Sequence, residues 1–253
     1  MAERAARAAG RVIHGAVAAG IRTKGTGDYV TETDLEAERA VLEVLRTADP
    51  GTPVLAEEAG GPRSEGILWA VDPLDGTTNF MHGFPAVAVS VARIVDGRPV
   101  AGCVHATLLG QTYVAARGSG AFLDGRRLRV SERAPEEAVV ATGFPFRQKA
   151  RLLPRYLRAF EAALRAFEDL RRPGAAALDL AWTAAGVFDG FFELGLSTWD
   201  VAAGVLLVEE AGGTTSDWAG GDTHVATGNI LAGNARVHER LLALGRTSEN
   251  GAS

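Results

Sequence analysis

The sequence predicts a mixed α+β and α/β fold, in which a largely antiparallel sheet with two helices is followed by a C-terminal α/β layer. Three observations carry this. Two stretches near the N-terminus repeat apolar residues at helical spacing, and five strand-like runs then follow one another. Asp96-Gly97 separates two of those runs and is a strong hairpin signal. Beyond a polar Ser131-Glu-Arg-Ala-Pro-Glu-Glu137 run, strands and helices alternate, which implies an α/β layer. That run sets a boundary near residues 131–138 and divides the chain into subdomains 1–134 and 135–253.

The elements follow in order. Residues 3–20 read as a helix with Arg4, Arg7 and Arg11 outward and Val12, Ile13 and Val17 inward. The same arginines and alanines resemble a transit peptide, but an amphipathic helix accounts better for their spacing. Residues 34–47 read as a second helix, with Leu35, Val41, Leu42 and Leu45 inward and its acids outward. Thr33 or Asp34 is suited to cap it by accepting from first-turn amides. Val54–Ala56, 66–71, 86–95, 100–106 and 112–116 read as strands. The strand at 66–71 is expected to stop before Pro73, which has no amide to give a ladder. Strands at 139–141, 191–194 and 230–232 then alternate with helices at 150–167, 176–185, 201–210 and 235–244. The polar tail 245–253 is expected to fray.

Composition excludes several function classes. A net charge of −5 without a long basic block argues against nucleic acid as the primary ligand. No run reaches the roughly 18 apolar residues of a membrane helix. The single cysteine, Cys103, sits in an apolar strand and reads as a buried structural thiol. Lacking a partner for an internal disulfide, it suits a reducing cytoplasm. His14, His82, His105, His224 and His238 lack zinc-ligand spacing. Ser197 and Ser216 lack the Gly-x-Ser-x-Gly context of a serine hydrolase.

The informative residues are acids at strand ends. The strand at 66–71 runs into Asp72-Pro73-Leu74-Asp75-Gly76-Thr77-Thr78-Asn79-Phe80. In a tight turn, Asp72 and Asp75 would converge on one point, and two such carboxylates repel unless a cation lies between them. Hard oxygen ligands in that arrangement suit Mg²⁺. Gly76 lets the backbone approach a ligand, and the Thr77 and Thr78 amides are placed to face a phosphate. Asp-x-x-Asp-Gly also occurs in ordinary solvated turns. Two further acids shift the balance: Glu57, in the Glu57-Glu58 pair ending an apolar strand, and Asp200, which opens an otherwise apolar helix.

These blocks resemble the inositol monophosphatase family. Glu57-Glu58, the run from Asp72 to Phe80, Trp199-Asp-Val-Ala-Ala-Gly204 and Glu210-Ala-Gly-Gly213 match its signatures, in its order. Lys24 and Thr31-Glu-Thr-Asp34 are similar to its N-terminal block. Arg172-Pro-Gly-Ala-Ala176 and Phe191-Phe-Glu193 resemble its substrate-side block. The resemblance implies a layered αβαβα sandwich, a homodimer, lithium sensitivity and two to three Mg²⁺ ions per subunit. It also implies the ligand roles. Glu57, Asp72 and the Leu74 carbonyl would hold one metal, and Asp72, Asp75 and Asp200 a second. A third, weaker ion would sit near Glu57. Gly76 and Thr77 would bind phosphate, while Asp75, Glu193 and the turn Gly174, Ala175, Ala176 would face a polyol.

The chemistry implied is hydrolysis of a small polyol phosphate, inositol monophosphate above all. Glu57 and the Thr77 hydroxyl, itself held by Asp34, would orient a water activated by metal. Thr78 stands where nucleotidase relatives commonly carry Lys, which favours the inositol phosphatase branch. Ala175 stands where close bacterial relatives often have Ser, which removes a substrate contact and leaves fructose bisphosphate as the leading alternative. Some bacterial members of the family are regulators that bind transcription or RNA-processing machinery, a reading from a different class.

Overall fold

The computed structural model describes residues 1–25, 28–61 and 66–249; the side chain of Lys24 and the end of the tail, 250–253, lie outside the described residues. The first half comprises α1 (Ala2–His14), β1 (Arg22–Gly25), β2 (Asp28–Val30), α2 (Glu32–Ala48), β3 (Val54–Ala56), β4 (Ile67–Asp75) and α3 (Thr77–Met81). It continues with β5 (Ala88–Val95), β6 (Arg98–Ala106), β7 (Gln111–Ala116), β8 (Gly120–Leu123) and β9 (Arg126–Arg127). The second half comprises β10 (Val139–Thr142), α4 (Lys149–Ala166), β11 (Asp169–Arg171), α5 (Ala176–Ala184), β12 (Gly190–Glu193) and α6 (Thr198–Glu210). It closes with β13 (Thr214–Ser216), α7 (His224–Thr227), β14 (Ile230–Gly233) and α8 (Ala235–Glu249).

These elements stack in five layers. Helices α1 and α2 cover one face of a seven-stranded sheet ordered β3-β4-β5-β6-β7-β8-β9, antiparallel except for the parallel pair β3–β4. Helices α5 and α6 lie on its other face, between it and a mixed sheet ordered β11-β10-β12-β14-β13. Helices α4 and α8 close the far side. Three apolar clusters fill the gaps between layers. The central position of α6 explains its sequence: Asp200 and every residue from 201 to 208 are buried, as expected of a helix apolar all round. Gly204 lets it approach α5 closely, since a Cβ there would lie 2.5 Å from the Leu180 Cβ. Among the described residues no helix is long and apolar enough to cross a membrane.

The hairpin at Asp96-Gly97 forms, with positive φ at both residues (48° and 77°). Other expectations need correction. Helix α1 stops at His14, so Val17 is 84% exposed; Ala5, Ala6 and Ala9 form the inward face with Ile13. In α2 two acids turn inward, Asp34 and Glu38, because polar partners outside the helix meet them. The strand before Pro73 does not stop there. Strand β4 continues to Asp75 through a bulge: Asp72 pairs with Ser90 and Asp75 with Ala88, three steps against two. The bulge excuses Pro73 from the ladder. Helix α8 runs on to Glu249, so residues 245–249 are helical instead of frayed. Cys103 is buried, and that burial pushes its thiol pKa up.

Candidate functional site

The end of β4 builds the floor of a cleft of about 390 Å³. Asp72 is 2% exposed, and its Oδ1 accepts the Leu74 amide at 3.0 Å across the bulge. Gly76 then takes a left-handed conformation (φ 93°) that reverses the chain into α3; a Cβ there would lie 2.6 Å from the Ala86 carbonyl oxygen. This puts Thr77 at the first turn of α3. Its hydroxyl donates to Asp34 Oδ1 at 2.9 Å, while the Leu74 carbonyl oxygen stands at 3.2 Å. Asp34 Oδ2 accepts the Thr31 amide at 2.8 Å, within the capping box that starts α2.

Neighbouring elements bring the other acids in. Glu57 follows β3, and its amide donates to the Val71 carbonyl at 3.1 Å. The loop after it is gripped by the Glu38 carboxylate, which accepts the Glu58 and Ala59 amides at 2.8 and 2.9 Å. Asp75 Oδ2 accepts the Ala177 amide at 2.7 Å, tying the floor to α5. Asp200 Oδ2 accepts the Ser197 amide at 2.7 Å at the start of α6. The Ser90 hydroxyl donates to the Trp199 carbonyl at 2.9 Å, docking that helix start beside the pairing partner of Asp72. Backbone amides thus orient the carboxylates of Asp72, Asp75 and Asp200.

Electrostatics follow from this crowding. Burial, together with the negative charges of Glu57, Asp75 and Asp200 and a hydrogen bond with Asp200, pushes Asp72 well above the ordinary carboxylate range. A cation would reverse that, and an all-oxygen donor set suits a hard one. Among the described residues no three acid, histidine or cysteine side chains close a cage by themselves. Mg²⁺ does not need one, because it is typically held by one or two carboxylates with waters and substrate oxygens completing its shell. The residues present therefore fit a Mg²⁺ site.

The opposite side of the cleft comes from the second sheet. Glu193, 8% exposed, ends β12 and lies against Gly143, where a Cβ would come within 2.1 Å of Oε2. Asn79 donates its side-chain amide to the Ala86 carbonyl at 2.8 Å and to the Pro173 carbonyl at 2.9 Å, pinning the turn before α5. Behind that turn Asp179 is buried with Oδ1 lacking a partner. Burial, then the nearby carboxylates of Glu193 and Asp75, hold its pKa well above the usual range.

Of the residues expected at the site, Glu57, Asp72, Leu74, Asp75, Gly76 and Thr77 line the cleft on one side. Asp200 lines it beside Asp72, and Gly174, Ala176 and Glu193 line it as well. Asp34 stands behind Thr77 and does not line the cleft. Ala175 does not line the cleft either: it is 1% exposed, packed in the central core as the residue preceding α5. Glu38, Gly143 and the aromatic wall of Phe144 and Phe146 were missed.

Comparisons with known proteins bear on the family and the fold. A sequence model described as the inositol monophosphatase family matches residues 1–249. The chain is 44% identical over 252 residues to a protein named Nus factor SuhB from Pseudomonas aeruginosa, covering 96% of this chain and 93% of that one. The extragenic suppressor protein suhB from Bartonella henselae superposes with a TM-score of 0.89 at 40% identity, covering 98% and 96% of the two chains. Inositol monophosphatase from Anabaena superposes with a TM-score of 0.88 at 36% identity, covering 97% and 94%. With these matches along nearly its whole length, the chain belongs to the inositol monophosphatase family.

Proposed function

We propose that this protein hydrolyses a phosphate monoester of a small polyol, with inositol monophosphate the reference substrate, in a Mg²⁺-dependent reaction. The observation that carries this is the convergence of Glu57, Asp75 and Asp200 on buried Asp72, beside a hydroxyl already bound to Asp34. Glu57, Asp72 and the Leu74 carbonyl would hold one cation and Asp72, Asp75 and Asp200 another. Two to three ions per subunit, sensitivity to lithium, a homodimer and a cytoplasmic setting belong to the same proposal.

When bound, the cations supply a positive site for the phosphate dianion and make a coordinated water more acidic. The residues do the rest. Thr77 gives its proton to the hydrogen bond with Asp34, so its oxygen is left to accept one from a water in the cleft. Glu57 takes the proton that the water loses as its oxygen bonds to phosphorus. The bond from phosphorus to the polyol oxygen breaks, and solvent returns a proton to that oxygen. The Gly76 and Thr77 amides cradle the phosphate. Glu193 accepts hydrogen bonds from polyol hydroxyls, and Asp75 with Gly174 and Ala176 completes that side.

Phosphate release from inositol monophosphate, fructose bisphosphate, adenosine bisphosphate and histidinol phosphate, with Mg²⁺ or with a chelator, tests the reading. Release from the first in Mg²⁺ alone is expected; release from none of the four would overturn it. A second reading is regulatory, and the relatives named Nus factor SuhB favour it. A pull-down from cell extract with Asp72→Asn separates the two: a partner retained by the inactive variant supports a role independent of hydrolysis.

A further inference from the structure

The cleft has a wall unlike its acidic floor. Phe144, Pro145 and Phe146 form it, and Arg172 is the one cationic side chain among the described lining residues. The Arg172 guanidinium carbon lies 5.4 Å from the centroid of Phe144 and 5.3 Å from that of Phe146. Lys149 Nζ lies 4.7 Å over the same Phe146 ring. Phe146 is 37% exposed, and of the two cations over its ring Arg172 lines the cleft while Lys149 stands outside the lining.

Among the described residues neither of these cations is in an ion pair, whereas Arg117, Arg133 and Arg171 each have a carboxylate. Cation–ring contact offsets only part of the repulsion between two like charges on one ring, and an anion placed between them removes it. The rim is also held in place. Arg172 precedes the turn whose Pro173 and Gly174 carbonyls accept from Asn79 at 2.9 and 3.3 Å. Phe144 packs edge-on against Tyr156 at 5.5 Å and against Phe146 at 5.7 Å. An anion bound there meets groups already positioned, which lowers the ordering cost of binding.

We propose that Arg172 and Lys149, on the platform of Phe144 and Phe146, form a second anion subsite that selects phosphate esters carrying a further anionic group, as a sugar bisphosphate does. This rests on the phosphatase reading and tilts its choice of substrate toward the bisphosphate. The floor carboxylates receive a phosphate only through cations, so among the described lining residues Arg172 is the one that offers the far end of the ester a direct positive charge.

The test compares fructose bisphosphate with inositol monophosphate as substrates of the unchanged protein, Arg172→Gln, Lys149→Gln and the double variant. The double variant is expected to raise KM for the bisphosphate about ten- to a hundredfold, the loss typical of hydrogen bonds to charged groups, with kcat little changed. KM for the monophosphate rises far less. Raising the salt should erode the bisphosphate preference of the unchanged protein and leave the double variant flat. Equal shifts on both esters, or none, would overturn the subsite. Calorimetric binding of the two esters with Ca²⁺ in place of Mg²⁺ reads the same ratio without turnover. If neither ester is hydrolysed the phosphatase reading fails, yet the binding ratio still decides the rim: equal affinities in the unchanged protein refute it.

Discussion

At Thr77 one hydroxyl proton is shared between structure and chemistry. It goes to Asp34, whose other oxygen is occupied by the start of α2, and on the proposed mechanism the Thr77 oxygen is left to orient a water. Thr77→Ser keeps the hydroxyl and should keep substantial activity. Thr77→Ala should lose about 10²–10⁴-fold in kcat with little change in KM, the range of general-base assistance. Asp34→Asn should cost less and add little to Thr77→Ala, because groups acting as a unit are not additive; losses that multiply would dismantle the relay. On the substrate side, Glu193→Gln should raise KM for inositol monophosphate more than for a hydroxyl-poor ester. Equal losses on both would make Glu193 structural. The acids were legible because they stand where an apolar strand ends or an apolar helix begins. Gly143, Phe144 and Phe146 were not, since their meaning depends on a sheet edge brought across from the other half of the chain.

Among the elements, two loops show how carboxylates set backbone. Glu38 on α2 accepts consecutive amides of the loop after Glu57, contacts 20 and 21 residues away in sequence. Helical periodicity assigns a charged residue to the outside, so this inward acid could not be read from α2 alone. Asp217 does the same for the turn before α7, accepting from Ala219 and Gly221 amides and the Thr223 hydroxyl. Burial pushes the Asp217 carboxyl up, but the Thr223 hydroxyl and the amides of Gly221, Ala219 and Thr223 outweigh it and hold the pKa at about 2, against 3.8. A folded pKa below the unfolded one means stability that is present above pH 3.8 and lost as the pH falls through about 2. Asp217→Asn should therefore cost about 2 kcal/mol at pH 7. In urea melts that deficit should shrink toward zero near pH 2; a deficit independent of pH would show that the carboxylate charge is not the cause. Strand β4 carries the companion lesson. A proline ends a regular ladder, but a bulge accommodates it, and bulges leave little mark on sequence.

For the whole molecule, the layered order was legible through the family resemblance, and the helix patterns accord with it. The outer α1 and α2 carry polar faces, while α6 is apolar all round. Layering in turn makes the site, since Asp72 and Asp75 come from the first sheet, Asp200 from the central helices and Glu193 from the second sheet. The central claim is that a cation binds where these layers meet and drives phosphate ester hydrolysis. The most direct test is phosphate release by Asp72→Asn on inositol monophosphate across a Mg²⁺ titration, with melting temperature followed in parallel. Because the substitution keeps the shape and removes repulsion, the variant should melt at or above the unchanged protein without metal and gain less from added Mg²⁺. Its turnover at saturating Mg²⁺ should be lower by about two orders of magnitude or more, a rise of at least ~2.7 kcal/mol in the barrier. Near-normal turnover at saturating Mg²⁺ would contradict the account.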